Sequence, residues 1–401
     1  MKRIAITGIG AVTPLDNSFT GSWNSIKSGI SGIRHSTKVL FRNEKTYPAG
    51  EINNLQTGRY LTAKELNYAD LFSIYAVAAA LEAFESSGLA KGCRNELERA
   101  GIIVGSSRGG ITTLERECRK GSATRLSPHL MPVTTVNAAA FHIAASLGLG
   151  GHCLGISNAC SSGTNAIGEA FRMIRSGLAS IVIAGGSEAP LCRLCFKGYA
   201  SAGALSDSPP DCASRPFDRD RDGFVLAEGA CMLVLEEMQL ALARQAEIYG
   251  EIIGYANICD ALHLTKPSAA GEIRAIEGVL ADAGISAGDV DYINAHGTST
   301  PLGDKAEACA ISGVFGNYRV PVSSIKSMTG HMLAASGAFE VACSAMSLRE
   351  GCIPPTINTC HVDPECGINL VTAPMPATIE TAIINSFGFG GANAAVAIKK
   401  A

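Results

Sequence analysis

The sequence predicts an α/β fold built by internal duplication. Short apolar runs ending in glycine alternate with helical stripes of small residues, and the same order of elements recurs in both halves of the chain. With 401 residues, 47% hydrophobic and 17% charged, the chain can bury a core larger than one simple domain holds.

The first element is a buried strand over Arg3 to Thr7. The apolar stretch behind Lys2 and Arg3 reaches Leu15, but Gly8, Gly10 and Pro14 interrupt it and no small-x-small site follows, so a strand fits better than a secretory leader. Val77, Ala80, Leu81 and Phe84 then fall at helical spacing, Gly88 ends that helix, and Gly101 to Gly105 reads as a buried strand. Ile276, Val279, Leu280 and Ala283 repeat the stripe, Gly284 the stop, and Tyr292 to Gly297 the strand. Each half also offers a strand running directly into a second helix. Gly155 to Ala159 leads to the stripe Ile167, Ala170, Phe171 and Ile174; Val322 to Ile325 leads to Phe339, Ala342, Cys343 and Met346. The segment from about Glu188 to Ala269, with Pro209-Pro210 and dense charge near Asp218, reads as an insertion over the active face. Two units are therefore expected, residues 1–250 with the insertion and residues 251–401.

A formal net charge of −3 provides no general attraction to nucleic acid or an anionic membrane. No run approaches the roughly 18 uninterrupted apolar residues of a membrane span. Fourteen cysteines scattered along the chain read as mostly buried small hydrophobes of a reducing compartment, which implies a cytoplasmic protein. Cys192-x-x-Cys195 lacks a second pair at zinc-ligand spacing.

Cys160 stands where a strand turns into a helix, in Ser-Asn-Ala-Cys160-Ser-Ser-Gly163. A thiol there faces unsatisfied N–H groups and the positive end of the helix dipole, which favour thiolate, and the same N–H groups can hold an oxyanion. His296 ends the duplicated strand, where Gly297 lets the loop turn and leaves the ring exposed at the strand end. His331 follows a strand and polar turn, the second copy's equivalent of the region holding Cys160, so the duplication predicts that the three converge. Two histidines and a cysteine could also hold a metal, but no fourth ligand is evident and nucleophilic catalysis better explains a helix-end cysteine. Asp218, Asp220, Asp222 and Gly223 imitate the start of a calcium loop; with arginines between the acids and Gly229 at position twelve, an ion-paired structural loop is the better reading. Gly8-Ile-Gly10 lacks the third glycine of a dinucleotide fingerprint. Gly388-Phe389-Gly390-Gly391, with Phe387 before it, reads as a glycine-rich turn displaying two phenylalanines, a mobile gate over an apolar tunnel.

Together the opening Ile-Thr-Gly8-Ile-Gly10, Ala159-Cys160-Ser-Ser-Gly163, Arg215-Pro-Phe-Asp-Arg-Asp-Arg-Asp-Gly223, Asn294-Ala-His296-Gly-Thr-Ser-Thr300, Lys326-Ser-Met-Thr-Gly-His331 and the Gly-Phe-Gly-Gly turn closely resemble the elongating β-ketoacyl-acyl carrier protein synthases of the thiolase superfamily. The resemblance implies a duplicated five-layered αβαβα fold, a homodimer, no metal or redox cofactor, and a decarboxylative condensation of an acyl group on Cys160 with a malonyl carrier protein. It implies that His296 and His331 assist decarboxylation and that the N–H groups of Cys160 and Phe389 form the oxyanion hole. Lys326 and Glu340 match the supporting charged pair, Thr298 and Thr300 the contacts to the pantetheine arm, and Phe389 the gate. Thiolases carry a second catalytic cysteine where this chain has Phe389-Gly-Gly-Ala, and initiating synthases an asparagine where it has His331.

Two departures bear on substrate. Arg108 stands where fatty-acid synthases of this family place an apolar residue lining the acyl pocket, so it should pair with a carboxylate or meet a polar substrate end, which would suit a non-fatty chain. Lys64 and Arg125 match the family's basic docking positions, but Asn67, Tyr68 and Gly203 fall where cations are common. A specialised carrier protein, or a chain-length-factor-like partner that completes the docking surface in a polyketide or polyene pathway, is the alternative that this implies.

Overall fold

The computed structural model describes residues 2–39, 46–89, 97–120, 125–316 and 318–401. In the first half, β1 (Ile4–Val12), β2 (Gly101–Gly105), β3 (Cys153–Ile156), β4 (Ile181–Glu188) and β5 (Gly229–Glu237) lie in the order β3-β2-β4-β5-β1. In the second, β6 (Gly250–Cys259), β7 (Tyr292–Asn294), β8 (Pro321–Ser323), β9 (Asn369–Leu370), β10 (Thr381–Gly388) and β11 (Ala392–Lys399) give β8-β7-β10-β11-β6, with β9 added beyond β8. Directions repeat as well. The first three strands of each series are parallel, and the last two are joined by antiparallel pairings. The duplication is present strand for strand, and the two series meet where β1 pairs antiparallel with β6.

Five layers follow from the helices. Helix α1 (Leu71–Ser87) and α2 (Ala138–Leu147) cover the outer face of the first series; α3 (Ser162–Arg175) packs on the other face. Helix α4 (Ala269–Ala283) and α5 (Pro301–Phe315) cover the second series, and α6 (Ala334–Glu350) packs against α3 and strands of both series. Residues of α3 and α6 share one apolar core, with Phe171, Ile174, Phe339 and Leu348 at most 2% exposed. The predicted stops hold. Gly88 and Gly284 close α1 and α4 at φ +68° and +69°, where a side chain would be strained.

Three expectations need correction. Strand β1 runs well past Thr7, because Gly8 and Gly10 do not break it: an added methyl would lie 2.1 Å from the carbonyl oxygens of Ala83 and Ala79, so these glycines admit α1 onto the strand. The segment Glu188 to Ala269 is not one insertion. It contains β5 and β6, both near the middle of the sheet, whose continuous apolar runs the neighbouring charge had obscured. Val322 to Ile325 does not pass directly into α6, since a one-turn helix, Lys326–Thr329, and the His331 loop intervene.

The thirteen described cysteines are all free, but only Cys192, Cys195, Cys231, Cys343 and Cys366 are buried. Cys118, Cys153, Cys259, Cys309 and Cys360 are exposed at helix surfaces, strand ends and loops, so the expectation of mostly buried thiols is wrong. Among the described residues no helix is long and apolar enough to cross a membrane.

Candidate active site

The turn that presents Cys160 is strained. Ala159 sits at φ +49° between β3 and α3, and Leu333 at φ +47° holds the same place before α6. Hydrogen bonds over-determine the first turn: Asn158 N–H donates to Ser162 Oγ at 2.8 Å, Ser161 Oγ to Asn158 O at 2.8 Å, and Asn158 Nδ2 to Asn165 Oδ1 at 2.8 Å. Asn165 Nδ2 in turn donates to the hydroxyl of Tyr255 on β6 at 2.8 Å, tying the turn to the second half.

Close approach brings the two repeats together. A methyl added to Gly163 or Gly186 would meet Ala334 O at 2.2 or 2.1 Å, so α3 and β4 admit the backbone just after His331 only because both positions are glycine. His331 is held by the segment before β5: its N–H donates to Val225 O at 2.7 Å, and Ala227 N–H to its carbonyl at 3.0 Å. The loop after His296 is held by Glu307 of α5, which accepts the N–H groups of His296 and Gly297 at 2.8 and 2.7 Å.

Cys160, His296 and His331 line one cavity of about 610 Å³, together with Thr298, Thr300 and Phe389. The imidazole centroids are 5.3 Å apart and nearly perpendicular, with Phe224 5.4 Å from His331 and Phe387 6.1 Å from His296. Burial, then the charge of Lys326, holds both histidines well below their usual pKa, so both rings are neutral. His331 Nδ1 is 3.2 Å from Ser336 Oγ, and its Nε2 has no partner among the described residues. Lys326 and Glu340 form an ion pair, each 1% exposed. Burial pushes the Glu340 carboxyl up to about 7 against the pull of Lys326.

Several expectations change here. The His296 ring is not exposed at the strand end; it is buried inside the cavity. Cys160 is not a ready thiolate. Burial pushes its thiol up to about 11, while Lys326 and Arg108 pull it down, Glu188 pushes it up, and the Phe389 N–H hydrogen bond lowers it. Phe387 belongs to β10 and packs inside, leaving Phe389 alone at the tip of the turn, 36% exposed. The carboxylate ion pair foreseen for Arg108 is absent among the described residues, and an aromatic hydroxyl takes its place. Its Nε donates to the Tyr199 hydroxyl at 3.2 Å and its guanidinium lies 5.5 Å from that ring, while the Glu188 carboxylate accepts the Arg108 backbone N–H at 3.0 Å. Tyr199, not Arg108, stands on the cavity wall.

The acidic loop is ion-paired as expected. Arg221 bridges Asp304 at 3.5 Å and Asp363 at 2.7 Å, and Asp218 accepts the N–H groups of Cys360 and His361 at 2.8 and 2.9 Å. Cys192 and Cys195 are both buried and free, with no metal-binding cluster among the described residues. Sequence reading gave no role to Phe224, which ends the Arg215-Pro-Phe-Asp-Arg-Asp-Arg-Asp-Gly-Phe224 motif, and missed Tyr199 and Glu307, which lie in no motif. It also missed Arg116 and Lys120, which line a groove of about 340 Å³ beside Asn67 and His129.

Comparison with known proteins agrees with this geometry. The family described as "Beta-ketoacyl synthase, N-terminal domain" matches residues 1–241, and "Beta-ketoacyl synthase, C-terminal domain" residues 249–360. The chain is 42% identical to a 3-oxoacyl-[acyl-carrier-protein] synthase 2 of a Synechocystis species, covering 100% of this chain and 98% of that one. It is 39% identical to the protein of that name from Staphylococcus aureus over 100% and 98% of the two chains. Among solved structures, an ishigamide ketosynthase/chain length factor superposes with a TM-score of 0.93 at 32% identity, covering 100% of this chain and 99% of that one. A type II PKS ketosynthase in complex with its acyl-carrier protein gives 0.90 at 31%, covering 100% of both chains. The chain belongs to the β-ketoacyl synthase family and has its thiolase-like fold.

Proposed function

We propose that the chain condenses an acyl group held on Cys160 with a malonyl thioester, both delivered by an acyl carrier protein. The observation that carries this is the meeting of one thiol and two neutral imidazoles in a single largely desolvated cavity. The Cys160 sulfur attacks the acyl thioester, its proton passing to the departing carrier thiolate, since the resting thiol is protonated. Malonyl thioester then binds and loses carbon dioxide, leaving an enolate. In the tautomer where Ser336 Oγ, 3.2 Å away, donates to Nδ1, His331 donates a hydrogen bond from Nε2 to the enolate oxygen, and His296 donates a second from the facing side. The enolate carbon attacks the acyl carbonyl, whose oxyanion takes the N–H groups of Cys160 and Phe389. Collapse releases the 3-oxoacyl thioester, and the Cys160 thiolate takes up from solvent the one proton that the decarboxylative condensation consumes.

Lys326 and Glu340 hold the field around the histidines, Thr298 and Thr300 contact the pantetheine arm, and Phe389 gates the mouth. Arg108, clamped on Tyr199, shortens the acyl pocket from behind. Arg116 and Lys120, in the groove lined by Asn67, add cations to the docking surface to which Lys64 and Arg125 also belong. The working form is a dimer in the cytoplasm: among the described residues β3 ends the sheet with one side unpaired and Leu154 46% exposed, beside Phe141 at 60% on α2. That edge suits a second copy; a chain-length-factor-like subunit would use it equally, the reading that the ishigamide likeness favours.

Supplying the purified chain with acyl and malonyl carrier proteins tests the reaction. One carbon dioxide per 3-oxoacyl product is expected, and no 3-oxoacyl product from Cys160→Ala. Product without carbon dioxide release would contradict it.

A further inference from the structure

The cavity holds a polar pair that the condensation leaves unused. Its wall includes Glu272, in the first turn of α4, and Asn393, in β11, alongside Thr298 and Thr300. Glu272 is 1% exposed and Asn393 3%. Among the described residues neither Glu272 Oε2 nor Asn393 Nδ2 has a hydrogen-bond partner. Asn393 packs against the first turn of α4 beside Glu272, since a methyl placed on the preceding Gly271 would lie 2.8 Å from Asn393 Nδ2. Buried polar atoms without partners are costly and rare, and a pair of them on a cavity wall points to a ligand that supplies the missing bonds. Burial, with Glu307, Asp260 and Asp304 nearby, raises the Glu272 carboxyl well above the usual carboxylate range. A neutral carboxyl offers one O–H donor and one carbonyl acceptor.

We infer that Glu272, together with Asn393, is a specificity-determining subsite that hydrogen-bonds a secondary amide of the thioester arm entering the cavity. The inference rests on the proposed condensation, because it is there that the cavity admits such an arm. An amide presents one N–H and one C=O, the complement of what this wall leaves unmet; a simple alkyl thioester presents neither.

Acylation of Cys160 by two donors carrying the same acyl group, a pantetheine thioester and an ethanethiol thioester, tests this by intact-protein mass spectrometry. Glu272→Met keeps the volume and removes the hydrogen bonds. It should raise KM for the pantetheine donor about tenfold, leave kcat little changed, and leave the ethanethiol donor unaffected. Glu272→Gln, whose amide also donates and accepts, should stay near the unaltered chain with both donors. If Glu272→Met does not fold, Glu272→Ala makes the same comparison. Equal losses with both donors, or no loss with the pantetheine donor, overturn the subsite and leave the condensation standing. Failure of the unaltered chain to accept an acyl group from either donor overturns both.

Discussion

At the scale of single residues, environment overrides motif. A cysteine at a strand-to-helix turn reads as an activated thiolate, yet desolvation of Cys160 outweighs its cationic neighbours and the thiol is pushed up to about 11. Thiolate is the reactive form, so alkylation of Cys160 by iodoacetamide, followed on its tryptic peptide, should rise about tenfold per pH unit from neutral to about pH 10. A rate already level at pH 7 would contradict this. In the proposed reaction the histidines act on a later step. His331→Ala should cut decarboxylation of the malonyl thioester by roughly 10²–10³ while Cys160 still takes up acyl groups, seen by comparing carbon dioxide release with adduct mass. Arg108 is held by Tyr199, whose ring stands on the cavity wall, so Arg108→Ile should free that ring and extend the longest saturated chain loaded onto Cys160. Efficient loading of long chains by the unaltered protein would sink that assignment.

Elements explain why the residues meet. The short helix Lys326–Thr329 buries Lys326 against Glu340 of α6, joining the two segments that flank His331. Lys326→Met would leave a carboxyl buried without its cation, at about 3–5 kcal/mol of stability, read as a lower urea midpoint. A change under about 1 kcal/mol would mean the pair is not a structural strut. The long periodic elements were legible in sequence: the stripes of α1 and α4, their glycine stops, and the strand that precedes His296; the strand before Cys160 runs Cys153–Ile156, earlier than the Gly155 to Ala159 expected. Strand β5 was not, because an apolar run buried on both faces has no alternation and charged neighbours disguised it. The one-turn helix escaped for a different reason. Four residues carry no helical period, and tertiary contacts define them. The glycine-rich turn was half legible: Phe389 lies on the turn, whereas Phe387 lies on β10, a distinction of register that glycine content does not encode.

On the scale of the whole molecule, duplication does the positioning. Each repeat ends a strand and starts a helix at the same place, one presenting Cys160 and the other following His331, and α3 and α6 back both turns in one core. The candidate site was legible to the extent that this symmetry was, which is why all three catalytic candidates were foreseen while Tyr199 and Glu307, reached only through packing, were not. The unpaired edge of β3 carries the assembly prediction. Leu154→Glu should turn a dimer into a monomer in light scattering, and an unaltered chain that is already monomeric alone but dimeric with a homologous subunit would favour the heterodimer. The central claim is that Cys160 carries the acyl group. Incubating the chain with an acyl carrier thioester and no malonyl donor, then mapping the added mass by peptide fragmentation, tests it most directly. One acyl group on the peptide containing Cys160, and none after Cys160→Ala, is the predicted result; an acyl group on another residue, or one that persists in Cys160→Ala, would contradict it.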